Sequence, residues 1–182
     1  MTTEAAESAS RLDLWIAGTM RPNSDVWTRL SAAGVSIDAA KRLGDEARAA
    51  GLYQTGSLTA DVVMQFFGAP AKRTPAELVY ALTLWPEHVY VWSLDGSKRV
   101  MGSGFERRNA RVLLSPSQRD QFRCWYHTEN DVRKALGEPR SREGWWPEET
   151  LIHRGATHRA GTMECTFEHG LLASITTQPV KT

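Results

Sequence analysis

Cys124 and His127 are the one close pairing of a nucleophile with a base in this chain. Three residues apart on a helix, they could face each other, the arrangement in which an imidazole takes a thiol proton. The same spacing arises when a thiol is buried beside a helix-terminal histidine that complements the helix dipole, and that structural reading is the one adopted here. His153, His158 and His169 together with Cys165 could be imagined around a metal, but their spacings match no zinc signature. His169 also falls in a predicted "EHG" turn, so these histidines are read as surface residues. The "GSG" at Gly102 to Gly104 lacks the lysine and the helix start of a phosphate-cradling loop. The expectation is a protein with no catalytic residues, no metal and no cofactor.

Two kinds of binding chemistry remain. Lys98, Arg107, Arg108, Arg140 and Arg142 form short basic segments, but Glu106 and Glu143 interrupt them and the net charge is only +1, which gives no field for nucleic acid or an anionic membrane. These read as solvated loop charges. The aromatic residues say more. Seven tryptophans are present, and Trp145 and Trp146 are adjacent inside the polar stretch "SREGWWPEET". Tryptophan and tyrosine dominate protein interfaces because they bury a large area with few rotors and keep a polar tip. The pair, rimmed by Arg142 and Glu143 before it and Glu148 and Glu149 after it, reads either as a partner-binding hot spot or as one ring packed over a sheet. Tyr90, Trp92 and Trp125 are further candidates from the neighbouring elements.

The elements that must position these residues follow from periodicity. "RLDLWIAG" alternates Leu12, Leu14 and Ile16 and suggests a short strand; "NSDVWTRLSAAG" suggests a short helix capped by Ser24 and stopped by Gly34. From Ser36, helical spacing of Ile37, Ala40, Leu43 and Ala47 runs to Gly51, and Thr59 then caps a second helix with Val63, Phe66 and Phe67 buried and Gly68 and Pro70 as its stop. "ELVYALTLW" and "HVYVWSL" read as antiparallel strands, "DGS" at Asp95 and Gly96 as a hairpin leading into "KRVMGSGF", and Ala110 to Ser115 as a fourth strand. The order then restarts. Ser115 and Pro116 open a helix, Thr128 and Asp131 form a capping-box pattern ahead of Val132, Ala135 and Leu136, and Gly137 and Pro139 end it. "TMECTF" and "LLASITT" flank the "EHG" turn as a hairpin, with Gly170 in the place of Gly96.

Both "TADVVMQFFGAP" and "TENDVRKALGEP" read TxxxVxxxxGxP, 69 residues apart. The same order of helix, helix and hairpin surrounds each, so the expected fold class is α+β: two tandem repeats of helix-loop-helix followed by an antiparallel β-sheet. The expected organisation is a disordered tail at 1–10, an N-terminal strand and short helix at 11–35, a first repeat at 36–114 and a second at 115–182.

This doubled arrangement resembles β-lactamase-inhibitory-protein-like folds and the related BamE/SmpA-like modules. "DVRKALGEP" followed by "MECTFEHGLLASIT" is similar to small bacterial immunity proteins that neutralise a toxin by binding it. The resemblance spans Ser36 to Thr177 and implies a binding protein whose sheet presents aromatics to a target. The N-terminus has no positive or apolar signal-peptide region, no run of about 18 apolar residues occurs, and the two cysteines, 41 residues apart, fit no disulfide framework. Both cysteines are expected free, and the protein is expected in the cytoplasm. The resemblance therefore implies an immunity protein that occludes a toxin, with a protein as its partner and no membrane. A secretion adaptor or chaperone for an effector is the alternative, as is a nucleic-acid-associated regulator using the helical pair at 36–68.

Overall fold

The computed structural model describes residues 9–21, 23–53, 57–108, 122–145, 148–154 and 162–178, and side chains within these outside 145, 148–154, 162 and 177–178. Two compact units divide the chain, Met1–Ser103 and Gly104–Thr182. Helices and antiparallel sheets make up both, an α+β fold.

The first unit starts with a helix where alternation suggested a strand: α1 covers Arg11–Thr19. The apolar run satisfies both periods, since Leu12, Trp15 and Ile16 also stand at i, i+3 and i+4. The capping box decides between them. Ser10 Oγ accepts from the Asp13 N–H, and the Asp13 carboxylate accepts from the Ser10 N–H. α2 (Ser24–Ala32) is capped by Asn23 rather than Ser24, and α3 (Ile37–Ala49) by Ser36. α1 packs on α3 so closely that a Cβ at Gly18 would lie 2.1 Å from the Ala40 carbonyl oxygen. α4 (Ala60–Phe67) follows, with Thr59 at its N-cap position but making no side-chain capping bond. Val63 and Ala60 are buried, whereas Phe66 and Phe67, expected in the core, are only half-buried; the Arg11 guanidinium covers the Phe66 ring at 4.3 Å.

β1 (Lys72–Arg73), β2 (Glu77–Ala81), β3 (His88–Leu94) and β4 (Val100–Arg107) form a sheet in chain order. The pairs Leu78 with Trp92 and Tyr80 with Tyr90 put four side chains on one buried face. Trp15 from α1 stacks against Trp92 at 5.8 Å, meets Tyr90 edge-on at 6.1 Å, and donates its indole N–H to the Tyr53 hydroxyl at 3.0 Å. Offset and edge-on contacts of this kind add to the area the rings bury. Asp13 fixes where α1 sits on the chain between β2 and β3. Fully buried, its carboxylate accepts the Thr83 N–H at 3.0 Å and the Leu84 N–H at 2.9 Å, besides the Ser10 hydroxyl at 2.6 Å. At the β3–β4 hairpin the left-handed residue is Lys98, φ 63°, not Gly96; the Asp95 carboxylate holds the turn by accepting the Ser97 and Arg99 N–H groups. The Lys98 carbonyl accepts the Ala60 N–H at 2.9 Å, and the Val100 N–H donates to the Leu58 carbonyl at 2.8 Å.

In the second unit, the strand expected at Ala110 to Ser115 and the helix start at Ser115 and Pro116 lie outside the described residues, as does most of the 1–10 tail. Residues 122–127 form a turn rather than the end of that helix. α5 (Glu129–Leu136) has the expected Thr128–Asp131 capping box. The polar stretch after it, which carried no strand signal, contains two strands, β5 (Ser141–Trp145) and β6 (Glu148–Arg154). With β7 (Thr162–Glu168) and β8 (Leu171–Gln178) they make an antiparallel sheet in chain order. One face packs Phe122, Val132 and Ala135 against Met163, Cys165, Phe167 and Leu172, with Leu136 only half-buried at the margin. The helix start docks on the hairpin turn: the Glu129 N–H donates to the Gly170 carbonyl and the Leu172 N–H to the His127 carbonyl, both at 2.8 Å.

Asp13→Ala strands buried N–H donors and should cost about 3 kcal/mol or more in chemical denaturation. Asp13→Asn keeps the volume but turns an amide NH2 toward those donors, so it should also destabilise. Gly18→Ala should likewise destabilise, because its methyl group meets backbone rather than a movable side chain.

Candidate partner-binding surface

Trp125 belongs to the turn at 122–127. Its φ of 61° is an outlier for a bulky residue. Two bonds to β8 hold the strain: the Trp125 N–H donates to the Leu172 carbonyl at 2.7 Å, and the Leu172 N–H returns to His127. Phe122 anchors one end of the turn in the core and His127 is buried at the other, leaving Trp125 half-exposed between them. The Arg123 N–H donates to His127 Nδ1 at 2.8 Å, so that nitrogen is occupied by backbone. Burial pushes the His127 imidazole below its ordinary pKa and raises the Cys124 thiol above its own. A thiol held protonated is a poor nucleophile. Cys124, expected as a buried thiol, is exposed.

Arg107, one of the basic residues tested for nucleic acid, is not available to a ligand. Its Nε and Nη2 grip the two Asp131 oxygens at 2.7 Å each, with both side chains nearly buried. Asp131 also accepts the Thr128 N–H at 2.9 Å, so one carboxylate caps α5 and neutralises the arginine. Burial alone would raise the Asp131 carboxyl; the bonds from Arg107 and Thr128 outweigh it and hold the pKa below the usual carboxylate value. The Arg107 guanidinium lies over the Tyr126 ring at 5.7 Å and that of Arg123 at 5.3 Å.

Arg142 and Glu143 sit on β5, an edge strand among the described residues, and both are exposed. The register separates them. Arg142 pairs with Leu151, which pairs with Cys165, placing Arg142 on the α5 face, where its guanidinium bonds Glu129. Glu143 pairs with Thr150 and, across the sheet, with Thr166 and Ser174 on the opposite face. A single rim of both charges does not form. Tyr90 and Trp92, the other candidates, are core residues 0% and 1% exposed, so neither can anchor a partner. Both rings meet Trp15 of α1, and sequence alternation alone could not assign their face to core or interface. Trp146 and the side chain of Trp145 lie outside the described residues; the Trp145 backbone pairs with Glu148 at the end of β5.

Sequence reasoning passed over two exposed apolar side chains. Trp27 on α2 is 45% exposed and Met101 on β4 is 71% exposed. Trp27 could have been found, since helical spacing sets it away from Val26 and Leu30, the buried residues of α2. His169, expected at the surface, is wholly buried at φ 52° in the β7–β8 turn, and its carbonyl accepts the Phe105 N–H at 2.8 Å. His158 and the side chain of His153 are outside the described residues. Among the described residues no cluster of histidine, cysteine or acidic side chains could hold a metal ion, and no helix is long and apolar enough to cross a membrane.

No protein-family model matches the chain, and no curated protein matches it. Two solved structures are similar to it in part. One is a candidate β-lactamase inhibitor protein from Streptococcus mutans, 18% identical with a TM-score of 0.31, the match covering 71% of this chain and 87% of that one. The other is a DUF4309 family protein from Bacillus subtilis, 14% identical with a TM-score of 0.28, covering 69% and 80%. At these TM-scores neither likeness carries an argument about this chain.

Burial drives the His169 pKa down to about 3, from an ordinary 6.5. Between those values the unfolded chain binds a proton that the folded chain refuses, so stability is full above about pH 6.5 and falls as the pH drops toward 3. His127 acts in the same direction. Unfolding free energy should decline as the pH falls below about 6.5, His169 alone giving a slope that approaches about 1.4 kcal/mol per unit by about pH 5. His169→Asn, which tolerates the left-handed conformation, should flatten that slope whatever its effect on absolute stability.

Proposed function

We propose that this protein is non-catalytic and acts by stoichiometric binding to another protein, as a bacterial immunity protein that occludes a toxin in the cytoplasm. The observation that carries the reading is negative for chemistry and positive for a surface. Burial raises the Cys124 thiol and His127 Nδ1 accepts a backbone N–H, while β5, an edge strand among the described residues, runs directly into the Trp145–Trp146 pair. An edge strand and large amphipathic rings are what a protein partner uses: the first offers main-chain hydrogen bonds, the second gives anchors. Glu143 on β5 extends this surface, whereas the half-exposed Trp125 lies beside β8, at the other edge of the sheet. Arg142 contributes by way of its pair with Glu129, which a partner carboxylate would have to displace.

The reading includes a tandem repeat of one helix-and-sheet module. It is supported by three contacts that recur in each unit: Thr59 bridges Arg99 as Thr128 bridges Leu171, the next N–H donates to a left-handed turn residue, Lys98 or Gly170, and the strand beyond returns an N–H to Leu58 or His127. Gly68 and Gly137 end the two helices at φ 87° and 80° with nearly equal ψ.

Co-expression with the products of the genes flanking its own tests the function. Rescue of growth from one toxic neighbour, with a stable complex of the two, is the expected outcome; a complex that leaves the toxic activity intact would transfer the protein to the effector-carrier class. In the complex, Trp145→Ala combined with Trp146→Ala should weaken binding by about 2 kcal/mol, roughly thirtyfold, with thermal unfolding unchanged. Collapse of unfolding would make the rings core and remove this surface.

A further inference from the structure

His127 closes the turn at 122–127 upon itself: its Nδ1 accepts the Arg123 N–H at 2.8 Å, and its own backbone N–H donates to the Arg123 carbonyl at 3.1 Å. The buried ring meets Phe122 edge-on at 5.6 Å and Tyr126 at 5.0 Å. Only a bare nitrogen can accept that N–H, so the imidazole is neutral and carries its proton on Nε2. A proton added to Nδ1 would point at the Arg123 N–H, setting two donors against each other where one hydrogen bond had been. The same turn holds Trp125 at φ 61°, a conformation that a bulky residue keeps only while the bonds around it hold. We propose that His127 is an acid latch: its protonation breaks the Arg123 bond and opens the 122–127 turn, releasing Trp125 from its left-handed conformation while α5 and the sheet stay folded.

The groups that face the ring set where the latch acts. Burial opposes the charged form most, Asp131 of α5 favours it, and the guanidinium groups of Arg107 on β4 and Arg123 in the turn oppose it, so the imidazole titrates below its ordinary 6.5. Tyr126 packs its ring against it, and β8 meets it through Leu172, which carries no charge. Asp131, below the usual carboxylate value, stays ionised against Arg107 throughout this range. The closed turn refuses the proton and the open turn accepts it. Below about pH 6.5 the ratio of open to closed turn therefore climbs by up to about tenfold per unit. At neutral pH the latch is shut.

The test is an NMR titration of the full-length, nitrogen-labelled chain from about pH 7.5 to about pH 4.5, following the His127 ring nitrogens and the hydrogen-exchange protection of backbone amides. Protection at Arg123 and Trp125 should fall as the ring takes its proton, at a midpoint below 6.5, while the amides of α5 and β7 stay protected. An Arg123 amide that keeps its protection after the ring is charged would overturn the proposal. So would a ring that stays neutral until the whole unit unfolds, or a loss of protection shared with α5 and β7. His127→Asn places Oδ1 where Nδ1 stood, an acceptor that takes no proton in this range, and should hold the turn shut down to about pH 4.5. Opening of that variant at the midpoint of the unaltered chain would also count against the latch.

Discussion

A helix begins with backbone N–H groups that it cannot satisfy itself, and in this protein two helices solve that problem by starting on a hairpin. The N–H of Ala60 at the start of α4 bonds the Lys98 carbonyl, and that of Glu129 at the start of α5 bonds the Gly170 carbonyl. Each bond demands that the hairpin turn aim a carbonyl at the helix, which the positive φ of Lys98 and Gly170 provides. Helix and sheet are thus joined by backbone as well as by side-chain packing. Trp125, Asp131 and the cluster around Cys165 all take their positions from the second of these junctions.

The helix ends were legible in the sequence because they are local chemistry. Ser36 and the Thr128–Asp131 box are visible in a few residues, and so are the glycines that stop α4 and α5. What failed was whatever depends on distant chain. The apolar run at Leu12 to Ile16 fits a strand or a helix, and only Ser10 beside Asp13 separates them locally; the further role of Asp13, accepting the Thr83 and Leu84 N–H groups, is set 70 residues away. β5 and β6 escaped because an edge hairpin with polar residues on it shows no alternation. His169 escaped because a turn position is ordinarily wet, and here the strand after Gly104 lies over it.

The surface was less legible than the fold, for a related reason. Aromatic residues are enriched both in interfaces and in cores, so Tyr90 and Trp92 gave the same signal as a hot spot while packing edge-on and stacked against Trp15. Charges were equally ambiguous. Arg107 and Arg142 look alike in sequence, yet one is locked to Asp131 and nearly buried while the other lies on an exposed edge with Glu129. Burying an arginine without its carboxylate would be costly, so Asp131 had to be placed before Arg107 could be understood.

The two glycines of "GSG" on β4 divide the strand into a position that can change and one that cannot. A Cβ at Gly102 meets nothing within 4 Å, whereas one at Gly104 would come within 2.8 Å of the His169 carbonyl oxygen. Two sites two residues apart thus differ completely as attachment points: a spectroscopic label or a cross-linker can be carried at 102 with the strand intact, and at 104 even a methyl group would prise the β7–β8 turn away from the strand that covers it.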